Sequence, residues 1–406
     1  MPRTFQTVSI FMYVILIVLF IRSLVVNRNV EVIEIEYLLR RPSAKIQREL
    51  MIQKRVVSIF SMKKKLKRLP TDYKYILKWT KAFSHYSSLI YKNGQQVFLD
   101  NNCTFNNCYL TNNKGILMDV TFFDAILFDV ENNWDSHPLE RSQYQRFIFV
   151  ATESAHNFPI CSNLFEDYYN LTWTYKLDSD IKNTYLTITD KNGTVVGPKR
   201  DMQWIEADEN IPEDVKQKIK YKKKAAAWFV SNCNAKSKRR IIADAIKIEL
   251  LKYNLDIDIY GYCGQMICPR DQFQECLKII EEEYYFYLSF ENSLAEDYVT
   301  EKILHALMYY TVPIVYGGAN YSRFLPPGSY INAKELQAEE VAKLMNKAIT
   351  NSNIYETYFR WHNHYSYREA YEGTNVCELC KILNSPPTFT AKVNFRKWWN
   401  EATCKK

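Results

Sequence analysis

Glycine is scarce in this chain, with ten in 406 residues. Neither G-x-G-x-x-G nor G-x-x-x-x-G-K-S/T occurs, which argues against an NAD enzyme or a P-loop ATPase. There is no internal repeat, no low-complexity tract and no motif of nucleic-acid recognition. The net charge of +8 is only mildly basic, and much of it lies in one early run, "MKKKLKRL" (Met62 to Leu69), which reads as a solvated tether. A zinc site is short of ligands, because no compact His/Cys cluster complements the pair Cys377-x-x-Cys380. A disulfide suits that pair better. Apolar residues, by contrast, make up 47% of the chain and aromatics 15%, enough for a sizeable core. The length suggests roughly two or three domains.

From Val8 to Val26 the chain is apolar except for Ser9, Arg22 and Ser23. Its core, "IFMYVILIVLFI", is long for a signal peptide, and no small-residue cleavage site clearly follows. Residues 8–26 therefore read as an uncleaved signal-anchor, a cleaved signal peptide being the alternative. Flanking charge leaves the orientation open, since Arg3 lies on one side and Arg22 and Arg28 on the other. Residues 27–70 carry many charges and little periodic burial, so they read as a stem. Ten cysteines, including the close pairs Cys103/Cys108 and Cys377/Cys380, accompany N-x-S/T sequons at Asn102, Asn170, Asn192 and Asn320. Behind a membrane anchor, both features favour an oxidising lumen, with glycans expected on Asn102, Asn170 and Asn192.

Beyond the stem the chain alternates. Between 71 and 205 the clearest strands are "YKYILKW", "QQVFLD", "DAILFDV", "RFIFVATE" and "LTWTYKL". Residues 206–224 are polar and read as a linker or an exposed helix. From 225 to 385 the order is regular: "AAAWFVSN" as strand, "KRRIIADAIKIELLKY" as helix, "LDIDIYG" as strand, "RDQFQECLKIIEEE" as helix and "YYFYLSF" as strand. Another helix, the strand "TVPIVYGG" and two closing helices follow. Strands alternating with helices of this length mean βαβ units and parallel sheets, an α/β fold.

The stretch "FENSLAEDYVTEK" (Phe290 to Lys302) ends a buried strand and opens a helix with Val299, Ile303, Ala306, Leu307 and Tyr310 at apolar spacing. Asp297 stands where an N-cap belongs, and Tyr298, Glu301 and Lys302 share a face at i, i+3 and i+4. A lysine in the first turn is opposed by the helix dipole unless an anion offsets it, as a diphosphate would. Taken alone, an ordinary surface Glu-Lys pair explains it equally well. A second junction, "FVSNCNAKSKRRIIADA", again runs strand, polar loop, helix, with Arg239 and Arg240 at the helix start. Two such loops converging on one sheet edge suit a nucleotide diphosphate held by cationic side chains.

These residues resemble a known family. "FENSLAEDYVTEK", with "VPIVYGGANYSRFLPPGSYI" after it, closely resembles the donor-binding motif of the α1,3-fucosyltransferases, which use GDP-fucose. "AWFVSNCNAKSKR" resembles their second donor segment, in a form closest to the branch acting on N-glycan cores. "ESAHNFP" resembles the acceptor-side motif, "LTWTYKLDSDI" its neighbouring strand, and "CELC" the C-terminal cysteine pair. The resemblance spans roughly residues 72 to 383.

The resemblance implies a GT-B fold: two Rossmann-like domains facing a cleft, the acceptor-side domain at 71–205 and the GDP-fucose domain at 225–385, with a C-terminal tail at 386–406. It also implies a single-pass type II Golgi membrane enzyme with residues 1–7 cytoplasmic and the catalytic domain lumenal. Glu153 matches the proposed general base. Arg239 and Lys302 match the cations on the diphosphate, and Asn292, Tyr298 and Glu301 match residues that hold nucleotide and fucose. The acceptor would be a GlcNAc-containing glycan. No cofactor is obligatory; Mn²⁺ or Mg²⁺ would at most stimulate. Cys103 and Cys108 would bridge to Cys377 and Cys380, in an order left open. The sequence departs from the family at Ser154-Ala155, where serine-proline is usual, and Arg240 leaves the phosphate contact open by one position.

Other classes remain. Asp178-Ser-Asp180 has the form of a metal-binding D-x-D, although a turn role fits its distance from the cationic junctions better. A membrane-tethered glycan-binding protein without catalysis would also suit the aromatic content, but would not require a full set of donor residues.

Overall fold

The computed structural model describes residues 73–80, 92–117, 119–132, 137–370, 372–386, 392–400 and 404. The expected anchor, stem and cytoplasmic tail lie outside them. Among the described residues no helix is long and apolar enough to cross a membrane.

The first half builds a parallel sheet from short, fully buried runs. Its strands are β1 (Lys74–Lys78), β2 (Cys108–Thr111), β3 (Ala125–Asp129), β4 (Arg146–Ala151), β5 (Leu171–Thr174) and β6 (Ile181–Lys182), in the order β2-β1-β3-β4-β5-β6. Every residue of β3 and β4 is buried, as expected of strands covered on both faces. A hairpin of β7 (Leu186–Asp190) and β8 (Val195–Gly197) follows. The second half repeats the plan with β9 (Lys224–Phe229), β10 (Ile257–Tyr260), β11 (Tyr284–Phe290), β12 (Val312–Tyr316) and β13 (Ile331–Asn332), ordered β10-β9-β11-β12-β13. In both sheets the second strand pairs outside the first and the third returns to the other side. The order therefore reverses between β1 and β3, and between β9 and β11, and ligands of open α/β sheets bind beyond the carboxyl ends at such points. Both sheets lie in a single unit, Lys65–Pro138 with Tyr144–Lys406.

Four expectations need correction. "QQVFLD" is a short helix, Gln96–Asp100, not a strand; it turns Val97 and Phe98 into the core of the first sheet, adjacent positions that a period-of-two reading puts on opposite faces. The polar stretch 206–224 is no mere linker: helix Glu213–Ile219 buries Val215 and Ile219 against the second sheet, and Lys222 is itself buried. The second half does not keep the chain to residue 385. Helix Glu372–Asn384 buries Val376, Leu379 and Leu383 among Ile76, Leu110 and Leu127 of the first sheet, after β14 (Tyr365–Glu369) has paired antiparallel with β7. Arg146, at the start of β4, donates to the carbonyls of Ile382 and Ser385 and so receives that helix's C-terminal end. Nor is the end a tail, since Phe395 and Trp399 are fully buried with their rings edge-on to Phe149.

Helix Glu372–Asn384 carries Cys377 and Cys380 three residues apart on the side facing the first sheet, where they bond Cys103 and Cys108 respectively. Cys161–Cys404, Cys233–Cys263 and Cys268–Cys276 pair the remainder, leaving no free cysteine.

Candidate active site

Strand β11 is mostly aromatic and buried except at Tyr285, and the polar segment after it starts at the carboxyl edge of the second sheet. Helix Glu301–Leu307 begins three residues later than an Asp297 cap would place it. Asp297 takes a left-handed conformation (φ 58°) that asparagine and aspartate tolerate best. Its buried carboxylate serves tertiary partners instead of a helix end, accepting from the Leu177 N–H at 3.1 Å and pairing with Arg323 at 2.7 Å. The 291–297 loop also lies so close to the end of β12 that a Cβ on Gly318 would stand 2.4 Å from the Ala295 nitrogen. Here the backbone approach itself demands glycine.

The late helix start leaves Glu291 and Lys302 facing across Thr300. The Glu291 carboxylate accepts from the Thr300 N–H at 2.8 Å and its hydroxyl at 2.9 Å, and pairs with the Lys302 ammonium at 3.2 Å. Lys302 also reaches Thr300 Oγ1 at 2.6 Å and Glu301 Oε1 at 3.1 Å. Burial disfavours this ammonium, but Glu291 and Glu301 outweigh it and hold Lys302 above the usual lysine value. Burial likewise opposes the Glu301 carboxylate, and Lys302 holds it below its usual range.

Arg239 starts helix Arg239–Leu250, after the loop from β9, where Lys238 rather than a glycine adopts the left-handed turn. Its guanidinium is buried over Trp228 and donates to the carbonyl of Phe290, the last residue of β11. Arg239 thus occupies the reversal point between β9 and β11. Arg240 points elsewhere, bonding Asp244 at 2.8 Å and the Cys263 carbonyl at 2.6 Å, which separates the two adjacent arginines. Arg239 Nε and Asn292 Oδ1 are buried with no partner among the described residues. Orphaned polar atoms of this kind mark where a ligand's groups are received.

The first half meets this edge through the loop after β4. Tyr298 is buried edge-on to Tyr175, and its hydroxyl donates to Glu153 Oε2 at 3.1 Å. The same oxygen accepts from Asn157 Nδ2 at 3.2 Å. Burial first, then Tyr185 and the Glu153 charge, hold the Tyr298 hydroxyl protonated far above the usual tyrosine value, so it remains a donor. Ser293 donates to Ser154 at 2.5 Å, the Leu294 N–H donates to His156 Nδ1 at 3.1 Å, and Lys236 donates to the carbonyls of His156 and Asn157. Glu153 is thus bonded to a hydroxyl donor of the segment that also carries Lys302 and that Arg239 meets at Phe290; a carboxylate, cations and a hydroxyl donor are the parts needed to accept a proton and to offset a developing anion.

Two protein-family models match the chain: "Fucosyltransferase, N-terminal" over residues 71–186, and "Glycosyltransferase family 10 (fucosyltransferase) C-term" over 219–399. Alpha-(1,3)-fucosyltransferase C of Drosophila melanogaster is 34% identical over 337 residues, covering 80% of this chain and 77% of that one. The chain belongs to the family 10 fucosyltransferases. An alpha-(1,3)-fucosyltransferase of Caenorhabditis elegans is 31% identical over 252 residues, 59% of this chain and 54% of that one. A crystal structure of an alpha1,3-fucosyltransferase with GDP-fucose aligns at TM-score 0.47 and 16% identity, covering 82% of this chain and 96% of that one.

Of the residues singled out from the sequence of this fucosyltransferase, Glu153 and Tyr298 meet directly, as do Glu301 and Lys302. The Asn292 backbone carbonyl accepts from the Ser237 N–H in the Arg239 loop at 3.1 Å, leaving its Oδ1 without a partner among the described residues. Sequence reasoning gave no role to Glu291, although its place two residues before a buried serine and next to "NSL" put it inside the same motif. Tyr185 was also missed. It donates to the Thr152 carbonyl at 2.9 Å, and burial and the Glu153 charge keep it protonated. The aspartates of the D-x-D are both occupied: Asp178 with Arg200 at 2.9 Å, Asp180 with the Thr172 N–H at 2.8 Å. Asn102 and Asn192 are exposed, but Asn170 is buried with Oδ1 accepting from the Phe147 N–H at 2.8 Å. A glycan on Nδ2 needs the side chain at the surface, and Asn170 is buried, so the expectation for Asn170 is withdrawn.

Proposed function

We propose that this fucosyltransferase moves L-fucose from GDP-fucose to the 3-hydroxyl of a GlcNAc in N-glycans or related glycans, with inversion at the anomeric carbon. The observation that carries this reading is the 3.1 Å hydrogen bond from Tyr298 to Glu153, which sets a carboxylate of the first sheet beside the cationic edge of the second. Glu153 takes the proton from the acceptor hydroxyl as it attacks. Arg239 and Lys302 offset the charge that grows on the departing GDP, so no second carboxylic acid is needed. Asn292, Tyr298 and Glu301 hold the nucleotide and fucose between them. The two sheets act as the halves of a GT-B cleft, acceptor side first and donor side second. Complete pairing of ten cysteines supports an oxidising compartment, and with residues 8–26 as anchor the chain reads as a single-pass type II Golgi protein with its catalytic part lumenal.

The test is transfer from GDP-fucose to defined GlcNAc-containing glycans, with linkage analysis of the product. Lys302→Ala should lower turnover about a hundredfold or more, and Glu153→Gln should suppress transfer while GDP binding persists. Near-normal turnover in folded Lys302→Ala refutes the donor assignment. Collapse of GDP affinity in Glu153→Gln moves that residue to the donor site and refutes its role as base.

A further inference from the structure

We infer that Glu291 is a positioning residue for the transfer reaction, its carboxylate aiming the Lys302 ammonium at the donor diphosphate. This rests on the reading of Lys302 above. A lysine ammonium has three N–H donors. Two are engaged in hydrogen bonds, by Thr300 Oγ1 at 2.6 Å and Glu301 Oε1 at 3.1 Å, while Glu291 Oε2 holds the ammonium as an ion pair at 3.2 Å. A phosphate that takes more than the remaining N–H is received where one of these partners yields. Glu301 can, because 44% of its side chain is exposed and it has the donor's hydroxyls to turn to. Glu291 cannot. Its side chain is 2% exposed, and the Thr300 N–H and hydroxyl lock the carboxylate from the other side.

Glu291 is therefore the carboxylate that stays with Lys302 once Glu301 has turned to substrate. The surrounding charges leave no substitute. Arg239, from helix Arg239–Leu250, works against the ammonium, and so does burial. His305, on the helix of Lys302, is held neutral by burial, its value pulled down to about 4. Tyr185, Tyr298 and Tyr321 remain protonated in their buried settings, so they supply no negative charge. Remove the Glu291 charge, and burial and Arg239 together pull the Lys302 proton off at lower pH.

The full chain, purified in detergent, provides the test: turnover against pH with GDP-fucose and a GlcNAc-terminated acceptor. Glu291→Gln keeps the shape and an acceptor for the Thr300 N–H. Its alkaline limb should move down by about one pH unit or more. At neutral pH kcat should fall about tenfold with little change in KM, since Lys302 acts on charge that develops only in the transition state. Glu291→Asp should restore much of the limb. A folded Glu291→Gln protein with the parental pH profile overturns the inference. If Glu291→Gln does not fold, Thr300→Val decides in the same assay, because it removes the hydroxyl joining Glu291 to Lys302. Since the Glu291 charge stays in place in that variant, kcat is the readout: a fall at near-constant KM supports the positioning role and an unchanged kcat overturns it. Lys302→Ala run alongside separates the two readings: retained turnover there defeats the role of Lys302 itself, whereas an inactive Lys302→Ala with an unshifted Glu291→Gln limb defeats only that of Glu291.

Discussion

Replacing Cys103 and Cys377 together by alanine removes a bond between residues 274 apart, yet the cost should be that of a small loop. Cys108–Cys380 remains, and with it closed the lost bond defines a ring of only about eight residues, which the chain-entropy relation values at about 2.5 kcal/mol. Alone, either bond would constrain its long loop by about 5.6 kcal/mol. Removing all four cysteines is different. Cys161–Cys404 still ties the ends, so the loop released is about 77 residues, and the combined loss comes to about 7 kcal/mol. Against a typical total of about 5–15 kcal/mol, that leaves the quadruple variant marginal.

Equilibrium urea unfolding under non-reducing conditions reads the difference through the eight tryptophans, three of which are among the largest fully buried side chains. Each paired deletion should lower stability by about 2.5 kcal/mol, and the quadruple change by about 7 kcal/mol, roughly 2 kcal/mol more than their sum. Two single-bond deletions that each cost about 5 kcal/mol would refute the redundancy. A Cys103–Cys108 or Cys377–Cys380 peptide on non-reducing mapping would refute the pairing itself.

Other consequences are checked more briefly. Asp297→Ala should cost about 2–4 kcal/mol in urea unfolding by orphaning the Leu177 N–H and one partner of Arg323, whereas Asp297→Asn, which tolerates the left-handed turn, should cost less. Lys222 is buried, and its ammonium is pulled down to about 7 from 10.5, so between those values the unfolded chain binds more protons and stability rises with pH. Lys222→Met should therefore add about 1–4 kcal/mol at pH 6 and a vanishing amount near pH 10.5, and a gain independent of pH would contradict this. Asn102→Gln should increase gel mobility of the secreted-pathway product, whereas Asn170→Gln should leave mobility unchanged and lower the melting temperature; a mobility shift from Asn170→Gln would show that residue glycosylated.

The alternation of buried runs with amphipathic ones was legible because both sheets are parallel and covered, which makes strands such as β4 and β11 nearly continuous apolar runs. The meeting of Glu153 with Tyr298 was legible only through family motifs, since no periodicity relates residues 145 apart. Elements whose form is decided by tertiary partners were not. Six residues of "QQVFLD" match a strand and a helical turn about equally, and the core around Phe98 selects the turn. Asp297 has the chemistry of a cap, but Arg323 and the Leu177 N–H compete for the same carboxylate and win it. Burial of Val376 and Leu379 on the first sheet could be read only once the chain's return was known.

That return bears on how the site is held. Residues 293–298 bond the first half at Ser154, His156, Lys176, Leu177 and Glu153, while the segment is rooted in the second sheet by the Glu291 N–H on the Tyr316 carbonyl. One continuous stretch, from Glu291 to Lys302, therefore touches the first sheet's carboxylate and carries the second sheet's cation. A relative motion of the halves that opened a gap between base and diphosphate would have to break several of these bonds together, and would strain the helix that returns to Cys103 and Cys108. Side-chain rotation is cheaper. Glu301 is the exposed partner of Lys302 and can turn without disturbing any of those bonds. On the proposed reading of Lys302, donor entry exchanges the half-exposed Glu301 for phosphate at an ammonium that the buried Glu291 keeps in place.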